Sequence, residues 1–396
     1  MLQHALNIFA PTLQHMNIAF DAKRAFVNDT GLGNYSRTLI SSLAKDFPQH
    51  HYYLCTPKLG RLFQATGSNM EVMLPQQPLH KMLPSAWRSS WVVGNLKKHN
   101  IQLYHGLSHE IPQGIAQSGI RSVVTMHDLI HERYPDQYPW LDRKIYTRKF
   151  RYACANADAI IAISQQTKQD LIDIYAADER KVHVCYQSCH PMYAQQASNE
   201  IKKAVREKYG LPQEYLLYVG SIIERKNLIK ICKALHQAKD VTLPLVVIGR
   251  GKEYKAKVEA FIAGHQLSNR VIFLSYKQQA NGRVGVDAED FPAIYQMSSM
   301  LIYPSFFEGF GIPVLEGLYS RVPVITSNTS CLPEAGGDAA FYVDPSNPEQ
   351  IAHQMRRILT DAALVQEHIA KGIAYAQQFS NEIAAASVHQ VYSSLF

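Results

Sequence analysis

Along the first half of the chain, short apolar runs alternate with stretches in which apolar residues return every three or four positions. The runs NIAFDA, HYYLC, IQLYH, RSVVTM, AIIAIS and KVHVCY predict buried strands, and GNYSRTLISSLAKDF and RKFRYACANA predict helices between them. The pattern breaks in QSCHPMYAQQASN, and after the helical stretch EIKKAVREKYG a fresh series begins. Its strands are YLLYVGS, LPLVVIG, RVIFLS, SMLIYP and VPVITS, separated by helical stretches such as NLIKICKALHQA and DFPAIYQMSS. Two α/β domains joined near residue 195 explain this order with the fewest elements, the first over residues 16–195 and the second over 196–378. The last helix, in residues 379–396, has no strand left to serve and is expected to pack across the boundary.

Composition narrows the class. At 396 residues, 46% hydrophobic and 18% charged, the chain is long enough for two cores and too apolar for a disordered protein. Lysine and arginine exceed aspartate and glutamate by 40 − 33 = +7, a mild bias toward phosphate-bearing partners. Charge alone would suggest a nucleic-acid binder, but no aromatic stacking platform accompanies it, so no nucleic acid is expected. Six cysteines lack a framework spacing, as in reduced cytoplasmic thiols. No apolar run reaches the ~18 residues of a membrane span, and MLQHALNIFAPTLQH lacks the basic start and apolar core of a signal peptide. The ordered fold is expected to begin at Met16.

In doubly wound α/β domains ligands bind where strand-to-helix turns collect. One such turn holds Gly31-Leu32-Gly33 before a helix expected near Asn34. Glycines there let backbone N–H groups approach a phosphate or sugar, or else serve a turn that needs positive φ. A second turn follows Gly220 and Ser221 and places Arg225 and Lys226 before a helix beginning near Asn227. Two cations beside a helix N-terminus oppose its dipole, and a diphosphate would remove the conflict; a solvated basic turn is the plainer alternative.

The third turn is SFFEGFGIPVLEG. Pro313 suits the first turn of a helix, so the amides of Val314 and Leu315 are expected to point out of its start. Glu316, read as a first-turn residue, is explained by the dipole alone. Glu308 in the glycine loop is not, and it calls for a partner such as sugar hydroxyls.

Two further stretches carry chemistry. In TMHDLIHERYP, His127 and His131 at H-x-x-x-H spacing, with Asp128 between, would suit a metal-dependent hydrolase, yet His127 directly follows a strand-like run where that motif needs a helix. In HVCYQSCH a strand runs into an irregular linker, poor context for zinc. LHKMLPSAWRSSWVVGNLKKHN sets Trp87 and Trp91 four apart among Lys81, Arg88, Lys97 and Lys98, which suits either an anionic membrane surface or a core helix with a wet basic face.

The spacing E-x7-E in EGFGIPVLE, the preceding GSIIERKN, the early TGLGNYSRTL and the trailing LPEAGGDAAFYVDP together resemble the retaining nucleotide-sugar glycosyltransferases of family 4, from about Asn17 to the end of the chain. The resemblance implies a GT-B architecture: α/β, two Rossmann-like domains facing a cleft, with the sugar donor on the second, the acceptor on the first, and no metal or other cofactor. Arg225 and Lys226 would bind the donor diphosphate beside Gly220 and Ser221, with Gly31, Gly33 and Asn34 facing the phosphates from the first domain. Glu308, Gly309 and the amides of Phe310, Gly311 and Ile312 would hold the transferring sugar, and Glu316 the ribose hydroxyls, beside Val314 and Leu315. His127 would contact the sugar or act in catalysis with Asp128 supporting its loop, His105 would line the acceptor side, and Tyr276 and Lys277 would face the base.

The implied reaction moves a hexose, with mannose from GDP-mannose favoured, onto a growing surface-polysaccharide or lipid-linked glycan, with peripheral contact at an anionic membrane. An epimerase or hydrolase of nucleotide sugars on the same fold, and a metal hydrolase using His127, Asp128 and His131, are the alternatives. One position departs from the family pattern: Arg321 stands where glycine usually closes the helix, so that turn is expected to be strained or differently shaped.

Overall fold

The computed structural model describes residues 15–279 and 282–396, so the expectation for the opening stretch falls, His15 apart, outside the described residues. The chain divides into two compact units, one running to Ser188 and taking in Asn381–Phe396, the other Cys189–Ser380.

The first unit is a parallel sheet of seven strands: β1 (Asn17–Asp21), β2 (His51–Cys55), β3 (Met70–Met73), β4 (Leu103–Gly106), β5 (Arg121–Met126), β6 (Ala159–Ala162) and β7 (Val182–Val184), in the order β3-β2-β1-β4-β5-β6-β7. Helices cover both faces, which is why the central runs are apolar throughout instead of alternating. Successive residues of β1 serve opposite faces: Ile18 and Phe20 pack with Leu39, Leu43 and Tyr52, and Ala19 packs with Tyr104, Trp87 and Phe150. The edge strand β3 is only partly buried, so its run MEVM carries too weak a pattern to be read in advance.

The second unit repeats the plan with six parallel strands: β8 (Leu216–Val219), β9 (Leu245–Ile248), β10 (Val271–Phe273), β11 (Met300–Tyr303), β12 (Val324–Ser327) and β13 (Phe341–Val343), in the order β10-β9-β8-β11-β12-β13. Strand order reverses at β8, which lies between β9 and β11. The turns leaving β8 and β11 therefore meet in one crevice beyond the carboxyl ends of the strands, where such sheets bind ligands.

The division falls at Ser188/Cys189 and not at 195, because Tyr193 is buried in the second unit with its ring edge-on to Tyr295 at 5.4 Å. The last helix, Asn381–Ser393, belongs to the first unit. Its Ala385, Val388 and Tyr392 recur at helical spacing and join the core beside the helix Gly31–Asp46.

Candidate functional site

The turn after β8 runs through Gly220 and the exposed Ser221 into a single 3₁₀ turn, Glu224–Lys226. Asn227 then takes a left-handed φ of 64° and starts the helix Leu228–Gln237. That conformation is costly for a residue with a Cβ, and it is held here by the Asn227 amide, which donates to the carbonyls of Pro304 at 2.9 Å and Pro345 at 2.7 Å. The turns after β8 and β11 are further tied by the Phe306 amide donating to the Arg225 carbonyl at 2.8 Å.

This stitching sets Arg225 and Lys226 against Glu308. The carboxylate lies 3.0 Å from the Arg225 guanidinium and 2.9 Å from the Lys226 ammonium, and accepts from the Tyr303 and Ser305 hydroxyls, each at 2.8 Å. Arg225 also donates to the Phe307 carbonyl, and Lys226 to the Tyr303 hydroxyl. Burial alone would raise the Glu308 pKa, but Lys226 and Arg225 override it and hold the group at about 2. Glu308 thus differs from its sequence reading: its oxygens go to protein cations and hydroxyls. Two cations against one carboxylate leave a surplus positive charge at the crevice.

Gly311 precedes the helix Ile312–Tyr319 at φ +121°, a backbone region open to glycine, and a Cβ there would press to 3.0 Å from Leu332 Cδ2. Pro313 lies in the first turn as expected, but the Val314 and Leu315 amides turn inward to the Gly311 carbonyl at 2.9 and 3.4 Å. The N-terminal amide of Ile312 is the one that lacks an intrahelical partner. Phe310, in the loop with Gly309, is buried against Phe379. Glu316 is the fifth residue of this helix, not a first-turn residue, so the dipole does not explain it. It accepts from the Tyr295 hydroxyl at 2.6 Å, and burial raises its pKa while hydrogen bonds from Tyr295 and Tyr193 pull the other way.

Tyr276 and Lys277 lie exposed in the turn after β10, their polar atoms at Gly251 and, 3.3 Å away, the Gly210 carbonyl.

In the first unit several expectations change. The helix Gly31–Asp46 begins three residues before Asn34, and neither Gly31 nor Gly33 has a left-handed φ. Gly33 is required for another reason: a Cβ would fall 1.9 Å from the Asn28 carbonyl oxygen. Its amide is already used by the Thr30 carbonyl at 2.9 Å and the Asn28 side chain at 3.2 Å, so the reading of a free phosphate-facing N–H does not hold, and Asn34 accepts from Arg37 at 2.5 Å. His105 lines no acceptor surface. It is fully buried, bonded to the Tyr392 hydroxyl at 2.6 Å and the Thr125 hydroxyl at 2.8 Å.

His127 is 4% exposed, with Nε2 donating to the Leu107 carbonyl at 2.9 Å and its ring edge-on to Tyr35 at 4.7 Å. That bond fixes the tautomer with the proton on Nε2 and the lone pair on Nδ1. Asp128 accepts from the Ile130 amide at 3.0 Å, which shapes the loop as expected. The metal-hydrolase arrangement fails on geometry, because His131 sits on a four-residue helix with Nε2 at the Tyr175 hydroxyl, 3.0 Å away. Among the described residues no group of three or more His, Cys, Asp or Glu is placed to hold a metal ion. Trp87 is a core residue, fully buried with its indole N–H on Asn95, and Arg88 forks onto the buried Asp21. Arg321 adopts φ 61°, the conformation the expected glycine would take, so the turn keeps its shape.

Sequence reading passed over Tyr303, Ser305 and Asn227, which position the charged cluster, and Tyr193 and Tyr295, which hold Glu316. The signal for the first two was the YPS tripeptide ending β11, directly before the glycine loop. For the tyrosines no local signal exists, because Tyr193 comes from the 3₁₀ turn Pro191–Ala194 and Tyr295 from the helix Phe291–Gln296.

Two family models match the chain, that of glycosyl transferases group 1 over residues 201–378 and that of glycosyltransferase family 4 over residues 30–188. The O-antigen chain mannosyltransferase B of Escherichia coli is 28% identical over 387 residues, 92% of this chain and 96% of that protein. The crystal structure of a glycosyltransferase from Rickettsia africae superposes with a TM-score of 0.73 at 18% identity, over 96% of this chain and 98% of that one. Anabaena HepE in complex with UDP-glucose gives a TM-score of 0.72 at 18% identity, over 96% of this chain and 100% of that one. Two doubly wound parallel units, the charged crevice of the second, and matches spanning both place this chain in the group 1 glycosyltransferases of the GT-B fold.

Proposed function

We propose that the protein is a retaining hexosyltransferase that takes a nucleotide-diphosphate sugar, with GDP-mannose favoured, and extends a surface-polysaccharide or lipid-linked glycan on the cytoplasmic side of a membrane, without metal or other cofactor. The observation that carries this reading is the surplus positive charge of Arg225 and Lys226 over Glu308 at the strand-order reversal of the second unit. Mannosyltransferase relatives matching over nearly their whole length, and a fold neighbour bound to a nucleotide sugar, support the donor class.

The chemistry follows from where charge develops. As the bond from the sugar anomeric carbon to the diphosphate breaks, negative charge grows on the leaving phosphate, and Arg225, Lys226 and the Ile312 amide stabilise it. The acceptor hydroxyl attacks from the same face, and its proton passes to a departing phosphate oxygen, so no separate strong base is needed. Glu308 keeps the two cations aimed, and Gly309 with the Phe310 and Gly311 amides faces the sugar. Glu316, held by two tyrosines, accepts from ribose hydroxyls.

The test is a panel of nucleotide sugars in the presence of EDTA, read by glycan transfer and by melting temperature. GDP-mannose is expected to raise the melting temperature and to be consumed only with a glycan acceptor. Turnover without acceptor would indicate a hydrolase or epimerase, and failure of every nucleoside diphosphate compound to bind would overturn the proposal.

A further inference from the structure

The run TSNTSC at 326–331 carries the chain from the end of β12 into the short helix Leu332–Gly336. Five of its six side chains end in a hydroxyl or a thiol, and all five meet backbone carbonyls of the neighbouring run YPSFFEGF at 303–310. Thr326 donates to the Tyr303 carbonyl at 3.0 Å, Ser327 to that of Ser305 at 2.6 Å and Thr329 to that of Phe306 at 3.2 Å. The Ser330 hydroxyl donates to the Glu308 carbonyl at 3.0 Å and accepts from the Glu308 amide at 3.2 Å. The Cys331 sulfur lies 3.0 Å from the Glu308 carbonyl oxygen and 2.9 Å from that of Phe310.

A turn chosen for its backbone alone would not have this composition. Ser330 adopts φ 57°, which is costly for a residue with a Cβ, and glycine would serve that backbone without the cost. Cys331 is fully buried, and burial pushes its thiol pKa well above the usual value, so the sulfur keeps its proton and remains a donor. The carbonyl and the following N–H of a trans peptide point in opposite directions. With the Glu308 and Phe310 carbonyls both turned to Cys331, the Gly309 and Gly311 N–H groups point away from it.

We infer, resting on the donor chemistry proposed above, that Ser330 and Cys331 are positioning residues for sugar transfer: they clamp the backbone at 308–310 so that the Gly309 and Gly311 amides meet the sugar end of the donor. A polar turn outside the glycine loop thus sets the aim of that loop.

The full chain is to be compared with Ser330→Gly, Cys331→Ala and Cys331→Ser by steady-state transfer, by thermal melting, and by calorimetric titration with GDP-mannose and GDP, or with the donor that the panel selects and its nucleoside diphosphate. Ser330→Gly relieves the left-handed strain as it removes the hydroxyl, so its melting temperature is expected to stay within a few degrees of the parent while kcat falls about 10–100-fold. Cys331→Ala is expected to lower kcat by a similar factor with the affinity for GDP unchanged, and Cys331→Ser, which keeps a proton donor, to recover most of the loss. Should Cys331→Ala fail to fold, Ser330→Gly decides the matter alone. Variants that transfer like the parent, or that lose kcat only in step with melting temperature and GDP affinity, would overturn the inference and leave the function standing. A parent chain that binds no nucleoside diphosphate compound would overturn the function, and the inference with it.

Discussion

Glu308 is the residue on which the site turns. With its pKa held near 2 by Lys226 and Arg225 it is ionised throughout the physiological range, so Glu308→Gln releases two cations without changing side-chain volume. The expected result is a lower kcat together with a loss of stability at neutral pH of about 3–5 kcal/mol, because two buried cations lose their counter-charge, measured by steady-state transfer and thermal melts. Arg225→Ala should remove about 2.7–4 kcal/mol of transition-state stabilisation, a fall of about 10²–10³ in kcat; a change confined to KM would show that Arg225 only binds. Arg321→Gly provides a separate test of strain. The left-handed φ of Arg321 disfavours any residue with a Cβ, so glycine should stabilise by about 0.5–1 kcal/mol after its greater unfolded-state freedom is subtracted, seen as a higher denaturation midpoint. At this scale the sequence marked Arg225, Lys226, Glu308 and Glu316 by spacing, but it misjudged their partners. Whether a carboxylate meets a sugar or an arginine depends on which turns the sheet brings together, and no local window contains that.

Among the elements, the helix Asn381–Ser393 shows how distant sequence completes a domain. Tyr392 is fully buried in the first unit, and its hydroxyl bonds His105 on β4. Tyr392→Phe leaves the His105 Nδ1 without that partner and should cost about 1–3 kcal/mol, whereas Tyr392→Ala adds a cavity and should cost about 3–5 kcal/mol; chemical denaturation distinguishes them. Strands were legible wherever both faces are buried, as in RSVVTM and AIIAIS, because a short unbroken apolar run suits a parallel strand covered by helices on both sides. The edge strands β3 and β13 were missed, β3 because its run is only partly apolar and β13 because it is three residues long. The helix start at Gly31 was placed late because Asn28, upstream of the glycines, supplies the side-chain oxygen for the Gly33 amide.

Across the whole molecule, buried histidines set the response to acid. Burial holds His105 at about 3 and both His127 and His389 at about 4, below the ordinary 6.5. The folded protein therefore resists protons that the unfolded chain accepts, so stability is fully present above about 6.5 and declines as pH falls toward 4 and 3. Denaturation midpoints at pH 7.5 and 5 should show the drop. All six cysteines are free and buried, with thiol pKa values raised by that burial. Ellman's reagent should find none in the native protein and six after unfolding, and a reductant should leave the melting temperature unchanged.

The ion pairs of Glu308 also bear on which solutes the crevice admits. A small monovalent anion such as chloride or acetate offers Arg225 and Lys226 no more than the tethered carboxylate they already hold. A solute carrying several negative oxygens can share both cations with Glu308 and neutralise the remaining charge. The crevice therefore screens by valence before it reads any base or sugar, and abundant monovalent metabolites make poor competitors there.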